Sequence, residues 1–175
     1  MEVNMSYDPT IHHRKSIRYK DYDYSQSGYY FVTICTEHHK CLFGHITKSH
    51  MELNELGSNV NDCWLEIPSH FPFVTLKEYV IMPNHVHGII VINNQNDILN
   101  KLPKSGEIHG TSNTIGSIIR GFKIGVSKYA NQDIWQRNYH EKIIRTEGMY
   151  EHIAEYIIKN PHNWKKDDFF VENLM

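Results

Sequence analysis

The sequence predicts an α+β fold: an antiparallel sheet of the ferredoxin-like βαββαβ type, with one added C-terminal helix. Three observations predict it. Apolar runs rich in β-branched and aromatic residues occupy 28–36, 73–82 and 88–92, with a more polar strand segment at 139–145. Segments 53–67 and 114–130 carry apolar residues at the three-to-four spacing of a helix face. In chain order these read strand, helix, strand, strand, helix, strand, and a further helix follows. The 175 residues suffice for one core, and no repeat or linker divides them, so 1–175 reads as a single domain.

Residues 1–27 form a polar, aromatic-rich arm. Its basic run, His12-His-Arg-Lys-Ser-Ile-Arg-Tyr-Lys20, suits a solvated arm or a phosphate-binding one equally. Tyr19, Tyr22 and Tyr24 interleave with it, able to stack on unpaired bases or to pack on the domain. Gly28–Thr36 is the first strand, and Cys41–Gly44 with Ile46 suggests a short extension or hairpin. Leu53, Leu56, Val60, Cys63, Trp64 and Ile67 stripe a helix that Pro68 is expected to stop. Phe73–Met82 is the second core strand, and the third starts at or just before His85 and runs to Ile92.

The stretch 93–113 is polar, holds Pro103, Gly106 and Gly110, and reads as a loop. The helix Thr114–Ala130 buries Ile115, Ile118, Ile119, Phe122 and Val126, with Arg120, Lys123 and Lys128 on its edges. The fourth strand lies around Tyr139–Arg145. Thr146 can then cap a helix that ends at Asn160-Pro161. The tail, 162–175, mixes Trp164, Phe169 and Phe170 with charges and reads as a loosely packed cover.

The net charge of −2 is not that of a generic nucleic-acid binder, so any such role needs a local basic surface. No apolar run reaches the roughly 20 residues of a membrane span, and 1–8 has no secretory character. Cys35, Cys41 and Cys63 form no C-x-x-C pair and read as reduced, mostly buried thiols, so a cytoplasmic protein is expected.

Two constellations carry chemistry. In Met82-Pro-Asn-His-Val-His-Gly88, His85 and His87 share one face of a strand and Val86 takes the other. Two imidazoles about 6–7 Å apart at Cα can converge on one metal ion, or can be a surface pair. In Glu151-His-Ile-Ala-Glu-Tyr-Ile-Ile-Lys-Asn160, His152, Tyr156 and Asn160 recur every fourth residue along one helix face. Met149, Ile153, Ala154, Ile157 and Ile158 make the apolar side, which leaves Tyr156 beside the stripe. By itself this is compatible with an amphipathic tyrosine at the edge of a core.

Met82–Gly88 resembles the His-hydrophobic-His motif of the IS200-like Y1 transposases in the HUH endonuclease superfamily. Tyr156-Ile-Ile-Lys-Asn-Pro161 resembles the Tyr-x-x-x-Asn-Pro segment of the REP-associated tyrosine transposase branch. Arg14–Ser27, Ile134-Trp-Gln-Arg-Asn-Tyr139 and Ile143-Ile-Arg145 resemble its lead-in segments, so the likeness spans about 14–164. One departure is Lys142, near which many relatives carry a histidine.

The resemblance implies a metal-dependent endonuclease and strand transferase acting on single-stranded DNA beside a hairpin. Tyr156 would be the nucleophile, forming a 5′-phosphotyrosine. His85, His87 and Asn160 would hold Mg²⁺ or Mn²⁺, and the protein would act as a monomer or homodimer. Carboxylate ligands are not expected, since none lies near the histidine pair in sequence. His152 is a candidate proton acceptor for Tyr156. Arg14, Lys15, Arg18, Arg120, Lys123 and Arg137 are candidates for DNA backbone contacts. Three other readings stand beside this one. A non-catalytic single-strand nucleic-acid-binding module would present Tyr29, Tyr30 and Phe31 as a stacking surface. A small hydrolase would use the histidines and water. A domesticated transposase would keep the nuclease alone.

Overall fold

The computed structural model describes residues 25–93 and 113–172. In chain order the strands are β1 (Gly28–Cys35), β2 (Gly44–Thr47), β3 (His50–Leu53), β4 (Val74–Ile81), β5 (His85–Ile92) and β6 (His140–Ile144). The helices are α1 (Glu55–Leu65), α2 (Ile67–His70), α3 (Ile115–Ala130) and α4 (Glu147–Lys159). The main sheet has the order β4-β5-β1-β6, and every neighbouring pair is antiparallel. That is the predicted ferredoxin-like arrangement. The hairpin β2–β3 stands apart as a second, two-stranded sheet. Lys48 and Ser49 turn it with positive φ, which suits the twist of a two-residue hairpin loop.

Alternation along the strands divides the core between the two faces of the sheet. Tyr30, Val32, Ile34, Val86, Ile90 and Ile92 pack with Val60 and Trp64 of α1 and with the apolar stripe of α3. On the opposite face Ile89 packs with Ile153 and Ile157 of α4, and Phe31 lies against that cluster. Both faces of β5 are thus covered, and all eight of its residues are buried. Gly88 is required by this packing. A Cβ there would lie 2.3 Å from Trp64 Cζ2, so only glycine lets β5 pass under the indole.

The local ends of the helices differ from expectation in three places. The first helix starts at Glu55, because Asn54 caps it by accepting from Gly57 N at 2.8 Å. Leu53 belongs instead to β3 and is exposed. Pro68 does not end the helical path but sits in the first turn of α2, where its missing N–H is harmless. Ile158 is 69% exposed and does not belong to the apolar side of α4.

The tail is also not a loose cover. A 3₁₀ turn at Trp164–Lys166 buries Trp164, and the chain then folds back over the sheet. The arm up to residue 24 and most of the predicted 93–113 loop lie outside the described residues.

Candidate metal and tyrosine site

The site forms where β5, β1, α4 and the tail meet. Pairing of β5 with β1 sets Cys35 opposite His85 and Thr33 opposite His87. Both imidazoles point to the α4 face and Val86 points to the other, as strand alternation requires. They are fully buried, which overturns the surface-pair alternative. Their ring centroids are 4.3 Å apart. Thr33 Oγ1 lies 2.8 Å from His87 Nδ1, and Asn84 Oδ1 lies 2.8 Å from His85 Nδ1. Each histidine is therefore oriented from its Nδ1 side and directs Nε2 inward.

α4 delivers the tyrosine. Thr146 caps the helix by accepting from Met149 N, and burial of Ile153 and Ile157 sets its rotation. That rotation places Tyr156 Oη 3.1 Å from His87 Nε2. Phe31 stacks on His87 with centroids 5.4 Å apart and meets Tyr156 edge-on at 6.2 Å. One helical turn later, Asn160 is buried at the C-terminal cap of α4.

The tail supplies a residue that the sequence reading missed. Asp167 Oδ2 accepts from Asn160 Nδ2 at 2.7 Å and from the Tyr156 hydroxyl at 3.2 Å, and lies 4.0 Å from His87 Nε2. Its other oxygen accepts from Phe169 N at 2.8 Å. The expectation of a site without carboxylates is thereby corrected. Asp167 is remote in sequence, and only the reversal of the chain after α4 brings it in. No periodicity or motif signals it.

His85, His87 and Asp167 offer ligand atoms within 4.8 Å of one another. Two further atoms bear on what the site can hold. His85 Nε2 and Asn160 Oδ1 are buried and have no hydrogen-bond partner among the described residues. Buried polar atoms are normally satisfied, and two orphans on side chains of this cluster, His85 as a member and Asn160 through its bond to Asp167, suit a ligand. Two imidazole nitrogens, a carboxylate oxygen and an amide oxygen form a mixed donor set that fits a divalent cation.

Electrostatics favour the same state of the histidines. Burial, then the neighbouring His39, lowers His85 to about 3. Burial, then His85, also holds His87 well below its ordinary value, with Asp167 opposing. Both rings are therefore neutral near pH 7, as a metal ligand must be. Tyr156 is shifted upward, first by burial and then by the Asp167 charge, so it rests as the phenol. Phe169 closes the site from above, its ring centroid 5.0 Å from His85 and 6.0 Å from His87.

The other predicted residues divide. His152 is exposed, and the phenol bonds to His87 and Asp167 instead, which corrects His152 as the proton acceptor. Arg14, Lys15 and Arg18 lie outside the described residues. Arg137 is exposed in the segment before β6. Arg120 is exposed on α3, which packs on the sheet face opposite the histidines. Lys123 turns inward and donates to the carbonyls of Gln136 at 2.6 Å and Asn138 at 3.1 Å, a contact no charge pattern revealed. Lys142, the departure from the family pattern, is exposed on β6.

The first-strand aromatics do not form an open stacking surface. Tyr30 is buried and donates to Gln26 O, Phe31 is taken up by His87 and Tyr156, and only Tyr29 is substantially exposed. No helix among the described residues is long and apolar enough to cross a membrane.

No family model matches the chain. It is 49% identical over 180 residues to an uncharacterized protein of Haemophilus influenzae, covering 97% of this chain and all of that one. A second protein of that organism, named "Putative REP-associated tyrosine transposase", is 26% identical over 150 residues, covering 79% of this chain and 73% of its own length. Among solved structures, a REP-associated tyrosine transposase bound to a REP hairpin superposes with a TM-score of 0.57 at 21% identity. That match covers 85% of this chain and 74% of the other, and it establishes a shared fold.

Proposed function

The chain fits the Y1 transposase branch, and on that premise we propose that it cuts and rejoins single-stranded DNA, at hairpin-flanked sites, through a covalent 5′-phosphotyrosine at Tyr156. The observation that carries the reading is the approach of Tyr156 Oη to within 3.1 Å of His87 Nε2, between residues 69 apart in sequence. A tyrosine that only filled the edge of a core would have no reason to meet a buried histidine pair and a buried carboxylate.

Attack of Oη on phosphorus forms the tyrosyl ester as the bond from phosphorus to the 3′-oxygen breaks. The phenolic proton has Asp167 Oδ2 as an acceptor already in contact at 3.2 Å, and the leaving 3′-oxygen takes its proton from water. Reversal by another 3′-hydroxyl rejoins strands without ATP, because the phosphotyrosine keeps the energy of the diester. His85, His87 and Asn160, joined by Asp167, would hold a divalent ion, Mg²⁺ or Mn²⁺. Such an ion, when bound, polarises the scissile phosphate and stabilises the charge that develops on it. Phe31 holds the phenol and the His87 ring at fixed mutual orientation. Tyrosine and histidines meet within one chain, which favours action of each protomer on its own.

Arg14, Lys15, Arg18, Arg120 and Arg137 are proposed for DNA backbone contacts. Lys123 takes a different part, since its two carbonyl partners flank Arg137 and so hold the segment that presents it. A cytoplasmic location accords with such a substrate.

The test is a denaturing gel. Hairpin-bearing single-stranded oligonucleotides from the gene's own flanks are incubated with Mn²⁺, using wild type and Tyr156→Phe. A protein–DNA adduct with wild type alone is the expected result. Metal-dependent cleavage that survives Tyr156→Phe without an adduct would replace the tyrosine mechanism with attack by water.

A further inference from the structure

Between β4 and β5 the chain makes a turn at Pro83-Asn84 that is tied down from three sides. Thr36 N donates to Asn84 O at 2.9 Å, Thr36 Oγ1 shares its one proton between Lys40 O at 2.8 Å and Asn84 O at 3.0 Å, and Phe43 N donates to Pro83 O at 3.0 Å. Asn84 is itself fully buried. Its side-chain nitrogen donates twice, to His39 O at 3.0 Å and to Phe169 O at 2.8 Å. A primary amide has two N–H donors, and both are used.

These two bonds decide which way round the amide lies. Turned over, its oxygen would face two carbonyl oxygens with no proton between them. Oδ1 must therefore face His85 Nδ1, at 2.8 Å. An amide oxygen only accepts, so His85 Nδ1 must carry a proton. A neutral imidazole has one ring proton. Nε2, buried and without a hydrogen-bond partner among the described residues, is then left with a free lone pair. The neighbouring histidine shows the contrast. Its Nδ1 faces Thr33 Oγ1, a hydroxyl that can donate or accept, so the contact alone does not choose a tautomer.

We propose that Asn84 is a positioning residue that fixes His85 in the Nδ1–H tautomer and so presents Nε2 as an electron-pair donor to the ion site. The metal half of this statement rests on the function proposed above, whereas the tautomer half stands on hydrogen-bond polarity alone. Because one amide also holds the carbonyl of Phe169, the seat of the tail and the orientation of His85 are set together.

The test reads the tautomer directly. Long-range ¹H–¹⁵N spectra of the metal-free protein, with His85 assigned by comparison with His85→Gln, should show a protonated Nδ1 and a pyridine-type Nε2. Observation of Nε2–H in the wild type would overturn the proposal without any variant being made. Asn84→Ala should mix or reverse the tautomer and weaken Co²⁺ binding, read from its visible absorption, by about 10–100-fold. Thr36→Val removes a bond to the same turn but spares the bond to His85, so it should leave tautomer and affinity unchanged. An Asn84→Ala protein that keeps the Nδ1–H tautomer would overturn the proposal as well. Failure of the DNA adduct assay would strike the function and leave the tautomer result standing, so the two failures are distinguishable.

Discussion

Asn160 Nδ2 donates to Asp167 Oδ2 at 2.7 Å, joining the C-terminal cap of the tyrosine helix to the tail that folds back over it. The bond fixes the amide so that Asn160 Oδ1 is the atom left buried without a hydrogen-bond partner among the described residues.

Both side chains should therefore contribute to metal affinity. Asn160→Ala and Asp167→Ala are each expected to weaken Mn²⁺ binding, by about tenfold or more if each supplies one ligand or orients one. Isothermal titration of the metal in the absence of DNA measures this. An unchanged affinity in Asp167→Ala would leave the ion to the histidines and the amide alone.

Gly88→Ala should destabilise the fold by about 1–3 kcal/mol, the usual range for overpacking a core. The added Cβ would meet Trp64 Cζ2 and Cη2 at 2.3 and 2.8 Å, atoms of a rigid and fully buried ring. The urea-denaturation midpoint measures the loss, and a midpoint equal to that of wild type would show that the indole moves aside freely.

Ile157→Ala removes a fully buried side chain from between α4 and the sheet. The expected loss is about 2–5 kcal/mol. The same change loosens the helix one residue from Tyr156, so adduct yield should fall even where the variant remains folded. Retention of full yield in the folded variant would mean that the tail and His87 hold the tyrosine without help from this packing.

Lys123 predicts an alkaline signature. Burial lowers its ammonium to about 8, from an ordinary 10.5. Below that window folded and unfolded chains both carry the charge, and above it neither does. Within it the unfolded chain binds a proton that the folded chain has released, so stability rises with pH. Measured against Lys123→Met, wild-type stability should therefore increase between about pH 7.5 and about pH 10 in urea titrations. A difference that does not change with pH would mean that the Gln136 and Asn138 carbonyls keep the lysine protonated.

The sheet and its helices were legible because each rests on short-range rules, whereas the two motifs were legible as a site through their resemblance to a known family. Alternation placed His85 and His87 on one face and Val86 on the other, and the structure agrees. The stripe Ile115, Ile118, Ile119, Phe122 and Val126 predicted the buried face of α3 residue by residue. The misreadings fall where local preference meets a competing partner. Leu53 fits a helical stripe, yet Asn54 caps the helix after it. Ile158 fits an apolar side, yet α4 turns that residue outward to set Tyr156 against His87.

By itself, then, the sequence determined the order and type of the elements and the single-face pairing of the histidines, while Tyr156 and Asn160 became candidates through the resemblance of their segment to a known family. Backbone sterics and side-chain periodicity act over a few residues and need no knowledge of the rest of the chain. Only the tertiary structure decided that the histidines are buried, that Asp167 rather than His152 stands at the phenol, that Lys123 braces a loop, and that Asn84 faces His85 with its oxygen. Most of these are contacts between segments remote in sequence, and the bond between the neighbours Asn84 and His85 takes its direction from two remote carbonyls, His39 O and Phe169 O. They are selected by which buried polar atoms can satisfy one another once the chain has closed, and no local pattern encodes that choice.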